Sequence, residues 1–117
     1  MIFYAIFQKE RRNINIITIE TIKKELENIR YYYARKDMFN KAFDSVGKNE
    51  ILQTANKYNQ AICGASPKLY EMYVALYIEC CTYEAAAESL CYSVNYVYKT
   101  NKKIVDFFYG ALNREAA

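Results

Sequence analysis

Thr82-Tyr83-Glu84-Ala85-Ala86-Ala87-Glu88-Ser89-Leu90-Cys91-Tyr92-Ser93, with the basic run from Val94 to Phe108 behind it, is the stretch on which the reading of this chain turns. Thr82 is a helix N-cap residue type, and the alanine-rich segment from Tyr83 to Leu90 has the composition of a short helix. Cys91-Tyr92 leaves room for a tight turn, and Ser93 is a second N-cap type. Beyond it Val97, Ile104, Val105 and Phe108 recur at helical spacing, while Asn95, Lys99, Lys102 and Lys103 fall mainly on the other side. A short helix, a tight turn and a longer basic helix are the parts of a helix-turn-helix. Ala86, Ala87 and Leu90 are expected to be buried, with the small Ala87 where the two helices cross closely.

Immediately upstream, Ser66 as N-cap and Pro67 as first helical residue are a strong start signal for a helix that runs to about Cys81. Leu69, Tyr70, Tyr73, Val74, Leu76 and Tyr77 are its apolar positions. Before it, Glu50 to Ile62 reads as another helix, with Ile51, Leu52, Ala55, Tyr58 and Ile62 as its stripe. Asp44 to Asn49 is the clearest break in the chain, where Gly47 can end a preceding helix.

That preceding helix is long, capped by Thr18 or Thr21 and running through Phe43. Ile19, Ile22, Leu26, Ile29 and Tyr33 step by three, four, three and four, a heptad seam bordered by Glu20, Lys23, Lys24, Glu25, Glu27 and Arg30. So narrow a seam suits a helix pair, either within one chain or as the dimerisation face between two copies. Intramolecular packing is the preferred reading, because two heptads fall short of the three or four that argue for a coiled coil. Tyr31-Tyr32-Tyr33 and Arg35-Lys36 extend the helix; core packing with surface hydroxyls is preferred for them over base stacking. Residues 1–8 are either a strand or the first turns of a helix, and Ile14-Asn15-Ile16 alternates like a strand but is short. At the other end, Gly110 signals fraying and Asn113 to Ala117 is expected to be a loose tail.

The expected fold is therefore all-α, with four to five helices: a long N-terminal helix, a connecting helix and a C-terminal trihelical helix-turn-helix unit. Residues 1–47 would form the N-terminal segment and residues 48–117 the rest of one compact domain. A hydrophobic content of 53% argues against a disordered chain, and no apolar run approaches the ~20 residues of a membrane span. The apolar start Met1 to Phe7 is followed, not preceded, by Lys9, Arg11 and Arg12, the wrong order for a signal peptide. Cys63, Cys80, Cys81 and Cys91 lack any metal-binding spacing and read as buried thiols in a reducing cytoplasm. There is no phosphate-cradling glycine loop and no nucleophile–base pair, and with no histidine acid–base chemistry near neutral pH would need strongly perturbed groups. A non-enzymatic role without cofactor or metal is expected.

The pattern Thr-aromatic-Glu-x-x-Ala-Glu-x-Leu-x-Tyr-Ser, followed by x-x-x-Val-Tyr-Lys, resembles the region-four helix-turn-helix of sigma factors. It is similar above all to small phage late-operon regulators of the ArpU and RinA type. Their pattern reads Thr-Trp-Glu-Glu-Ile-Ala-Glu-x-Leu-Gly-Tyr-Ser-x-x-Thr-Val-Tyr-Arg; here Tyr83 replaces the tryptophan, Ala86 the isoleucine, Cys91 the turn glycine and Tyr96 the threonine. The resemblance covers about residues 67–110. It implies sequence-specific binding of double-stranded DNA in transcription regulation, in the bacterial cytoplasm, with RNA polymerase or another host protein as a further partner. In such a reader Asn95, Tyr96 and Lys99 meet base edges, while Thr82, Ser93, Lys102 and Lys103 contact phosphates.

Net charge is only +3, although residues 91–105 hold three lysines and no acid. That modest charge and thirteen tyrosines leave a rival of another class: a protein-interaction module, such as a phage-encoded inhibitor of a host defence protein that keeps the helix-turn-helix. A small terminase subunit, which also pairs such a motif with a helical oligomerisation segment, is a third reading.

Overall fold

The computed structural model describes residues 16–36 and 45–116, which form five helices and, among these residues, no strand. They are α1 (Ile19–Ala34), α2 (Ser45–Ile62), α3 (Pro67–Tyr73), α4 (Tyr83–Leu90) and α5 (Val94–Ala116). A π-helical turn (Val74–Ile78) continues α3 without a break.

Short polar side chains start four of the helices. The hydroxyl of Thr18 accepts the Thr21 N–H at 3.1 Å, that of Thr82 the Ala85 N–H at 3.1 Å and that of Ser93 the Tyr96 N–H at 3.1 Å. Ser66 accepts the Leu69 N–H at 3.4 Å, with Pro67 in the first turn behind it. Each cap satisfies an amide that the helix cannot, worth typically about 1 kcal/mol.

Two helix ends are made by cysteines. Cys91 stands at φ 63°, ψ 42°, in the left-handed region that glycine adopts most easily. Tyr92 N–H then reaches the Ala87 carbonyl at 2.8 Å and Cys91 N–H the Glu88 carbonyl at 3.3 Å, the paired bonds of a Schellman stop. The turn is thus as tight with cysteine as glycine would make it. Cys80 has φ 60° and ends the π turn in the same manner, with Cys81 N–H on the Ala75 carbonyl at 2.9 Å.

The core is one cluster to which every helix contributes. Helix α5 supplies Val97, Ile104, Val105, Phe108 and Leu112 and packs against each of the other four. The Phe108 ring lies 4.7 Å from that of Tyr58 on α2 and 5.6 Å from that of Tyr73 on α3. On α4, Ala86 and Ala87 are buried as expected and Leu90 is half-buried against the core. Burial of large side chains at this density is what holds short helices together, since none of them is stable alone.

The heptad seam lies inside the chain. Ile22, Leu26 and Ile29 are completely buried, and Ile19 and Tyr33 pack half-buried against the same cluster, because α1 lies on the π turn, α5 and α2. The intramolecular reading of the seam therefore describes the structure. Of the five residues named as a candidate dimerisation face (Ile19, Ile22, Leu26, Ile29 and Tyr33), the central three are covered within the chain, while Ile19 and Tyr33 keep part of their surface open.

Three boundaries differ from expectation. Helix α1 ends at Ala34 rather than Phe43: Arg35 leaves helical geometry, its N–H bonding the Tyr31 and Tyr32 carbonyls. Ala34, Arg35 and Lys36 are all exposed, and Lys36 is helical again after the one-residue break at Arg35. The remainder of that expected helix, at 37–43, lies outside the described residues, as do residues 1–8 and Asn15. Helix α2 begins at Ser45 and runs through Gly47, so that glycine does not end a helix. An interior glycine costs about 1 kcal/mol, less than burial of Ala55, Tyr58 and Ile62 returns further along the helix.

The third difference concerns the tail. Helix α5 continues to Ala116, with Ala111 and Leu112 buried. Asn113 clasps the chain ahead of α1: its carboxamide oxygen accepts the Ile17 N–H at 2.7 Å and its NH2 donates to the Ile17 carbonyl at 3.1 Å. A side chain that stands in for a neighbouring strand cannot be inferred from a partner 96 residues away.

Candidate functional site

The N-terminal half of α5 is the first surface to consider. At about 100° per residue, Asn95, Lys99 and Lys102 lie within a 60° stripe, with Lys103 beside it, opposite the buried Val97, Thr100 and Ile104. All four are exposed, and the first turn of α5 carries no acid. Thr82 and Ser93 are exposed at the starts of α4 and α5, where their oxygens cap and their hydroxyl protons remain available to an acceptor. Asp106 continues the stripe one turn after Lys102 and sets its distal limit.

Tyr96, also expected at base edges, stands off this stripe. It is half-buried, its ring 4.3 Å from that of Tyr92 and packed against the core, so it braces the turn between α4 and α5. In this half of α5 the exposed tyrosine is Tyr98, at 56% of its surface.

A groove of about 940 Å³ lies between α1 and α5, beside that stripe. One wall is α1, where Lys23, Glu27 and Arg30 recur at i, i+4 and i+7; the other is α5, where Tyr98, Lys102 and Val105 recur in the same way. Lys99 and Asp106 complete the second wall, and Leu26 and Tyr77 come from the core beneath.

Arg30 is tied into the fold by its backbone acceptors. Its Nε donates to the Leu76 carbonyl at 3.0 Å, and one Nη donates to the carbonyls of Cys80 at 3.0 Å and Cys81 at 3.2 Å. These are acceptors that the π turn and its left-handed exit cannot satisfy internally. The Cys80 thiol donates back to the Arg30 carbonyl at 3.3 Å.

Beside it runs a chain of neutral hydrogen bonds. Tyr77 O–H donates to Asn101 Oδ1 at 2.5 Å, and Asn101 Nδ2 donates to the Tyr83 hydroxyl at 3.0 Å. Burial pushes the Tyr77 phenol up, with the neighbouring Tyr83 adding to it, so Tyr77 stays a protonated donor. Burial also raises Tyr83, with Tyr98 adding to the effect. The Tyr83 and Tyr98 rings meet edge to face, 4.4 Å apart. Since the Tyr83 hydroxyl accepts within the chain of bonds, its own proton is the one left to offer a ligand.

Lys23, Arg30, Asn101 and Asp106 are site residues that sequence reasoning did not single out. Lys23 and Arg30 look like solvated charges beside the α1 seam, and nothing local marks Asn101 as the link between two tyrosines. Among the described residues no group of three or more Cys, Asp or Glu side chains is placed to hold a metal. All four cysteines are free thiols, and Cys63 and Cys91 are exposed rather than buried as expected, because each sits in a turn at a helix end. None of the described helices is long and apolar enough to cross a membrane.

Comparison of the chain with protein-family models, with curated proteins and with solved structures gives no match.

Proposed function

We propose that the protein binds double-stranded DNA sequence-specifically and acts in transcription regulation, with α4, the Cys91 turn and α5 as its helix-turn-helix. The observation that carries this reading is the stripe of Asn95, Lys99 and Lys102 on the outer face of α5, flanked by Lys103 and free of acid as far as Asp106. An asparagine in the first turn can bond adenine bidentately, a lysine one turn on can reach guanine, and lysines beyond it meet phosphates. Thr82 and Ser93, at the two helix starts, add hydroxyl donors and helix N-terminal amides for the backbone. Tyr96 supports the turn in this reading and does not touch bases.

Titration of DNA fragments flanking the gene, at two salt concentrations, tests the reading. Affinity is expected to fall steeply with salt. Lys102→Ala or Lys103→Ala is expected to weaken all sequences alike and to flatten the salt slope by about one unit for each phosphate left without its lysine. Asn95→Ala is expected to cost about 1–3 kcal/mol on the preferred site and little on random DNA. Absence of binding even at low salt overturns the reading.

A second reading, a module that binds and inhibits a host protein, is favoured by Tyr98 and Tyr109, which are 56% and 42% exposed on the same helix. It expects losses from Tyr98→Ala with only modest salt dependence.

A further inference from the structure

The groove between α1 and α5 shares only Lys99 and Lys102 with the DNA reading, and its lining is chemically mixed in a particular way. Four cations, Lys23, Arg30, Lys99 and Lys102, share its lining with two carboxylates, Glu27 on the α1 wall and Asp106 on the α5 wall. A site built for a bare polyanion gains nothing from carboxylates, which repel it. Carboxylates accept hydroxyl protons, as in the recognition of ribose by dinucleotide-binding folds. The groove also carries the half-exposed Tyr98 ring, and stacking on an aromatic side chain is open to every nucleobase.

We propose that this groove binds a nucleoside phosphate: the base lies against Tyr98, the sugar hydroxyls donate to Glu27 or Asp106, and the phosphates are held by Lys23, Lys99 and Lys102. Its size lies within the range of roughly 300–1,000 Å³ usual for small-molecule sites. Part of the lining is held in place by the fold. Arg30 is locked by three carbonyls and brings its charge to the α1 wall, and the Tyr77–Asn101–Tyr83 chain presents the Tyr83 proton as a fixed donor. Nucleotide binding does not depend on the DNA reading. If both hold, Lys99 and Lys102 belong to both surfaces, and nucleotide and DNA exclude one another.

Calorimetric titration of the full chain with ATP and with GTP, in buffer free of divalent cations, tests the site. Inorganic triphosphate and adenosine serve as part-ligands. One saturable site is expected, with each part-ligand binding at least about tenfold more weakly than the better nucleotide, because neither uses both the cations and the ring. Lys23→Ala and Tyr98→Ala, both at exposed positions, are each expected to weaken that nucleotide about tenfold, and Tyr98→Phe to retain its affinity because the stacking ring remains. Triphosphate binding as tightly as either nucleotide, or Tyr98→Ala without effect, overturns the assignment in favour of a plain anion patch. Absence of heat with both nucleotides at millimolar concentration overturns it outright.

Discussion

The turn between α4 and α5 and the junction between the π turn and α4 use one device and hold it differently. Each leaves a helix through a cysteine in the left-handed region, Cys91 at φ 63° and Cys80 at φ 60°. At Cys91 the two stabilising bonds span five residues or fewer, from Tyr92 to Ala87 and from Cys91 to Glu88. At Cys80 the freed carbonyls are satisfied by Arg30, from 46 to 51 residues away, and the Cys80 thiol returns a bond to Arg30. The first turn can close as soon as its helix forms. The second has a local bond as well, from Cys81 N–H to the Ala75 carbonyl, but its freed carbonyls gain their donor only when a long loop has closed and α1 has docked. The surface proposed to read DNA stands on the local device, and the groove beside it stands on the remote one.

Alkali acts hardest on the remotely held side. Tyr58 on α2 donates to Glu25 on α1, and burial pushes its phenol far up, the bond to Glu25 adding to the effect. Burial raises Tyr73 and Tyr77 likewise, and Tyr73 donates to Asn59, which in turn donates to Tyr33 on α1. A phenol whose folded pKa lies above its unfolded value of about 10 keeps its proton more tightly when folded. Its stabilising contribution is thus complete below pH 10 and is lost as pH rises above it. Stability is expected to fall by up to about 1.4 kcal/mol per pH unit for each such phenol. Denaturant midpoints at pH 9, 10 and 11 measure this, and a smaller fall in Tyr58→Phe identifies the α1–α2 contribution.

Arg30→Ala breaks the junction itself. Three carbonyls lose a charged donor in a part-buried place, and the expected cost is about 3 kcal/mol by urea denaturation. A loss below about 1 kcal/mol would mean that water replaces the guanidinium and that the two turns do not differ as described.

On the local side, Ala87→Leu forces a larger side chain where α4 is buried against its neighbours. Overpacking there is expected to cost about 2 kcal/mol, read as a lowered Tm. A variant as stable as wild type would show that α4 and α5 do not cross closely at this point.

The smallest effects make the sharpest comparison. Cys91→Gly relieves a left-handed residue whose bonds are all backbone, and a gain of about 0.5–1 kcal/mol is expected. Cys80→Gly relieves the same strain but gives up the thiol bond to Arg30, so its net effect is expected near zero, within about 0.5 kcal/mol. Equal gains in both would leave the thiol without a role at the junction.

Much of this fold was legible because its signals are local. Thr18, Ser66, Thr82 and Ser93 cap the helices they precede, and each does so through an amide three residues on. The three-four spacing from Ile19 to Tyr33 marks the buried face of α1 whatever lies opposite it. The basic stripe of α5 is equally readable, since Asn95, Lys99 and Lys102 share a face on any helix of this phase. The setting of Tyr96 was not readable: periodicity says where a residue points on its helix, but not that Tyr92 will fold back against its ring.

What the sequence by itself determined is therefore where the helices start, which of their faces are apolar and which are charged, because those depend on residues within about one turn of each other. The tertiary structure decided the rest. It turned the centre of the α1 seam onto the core and carried α5 to Ala116 by way of the Asn113 clasp on Ile17. It ended α3 in a π turn held by Arg30 and opened the groove where α1 and α5 bring their charges together. Each of those depends on groups brought together from distant parts of the chain, and no propensity or periodicity read along it encodes which distant group will arrive.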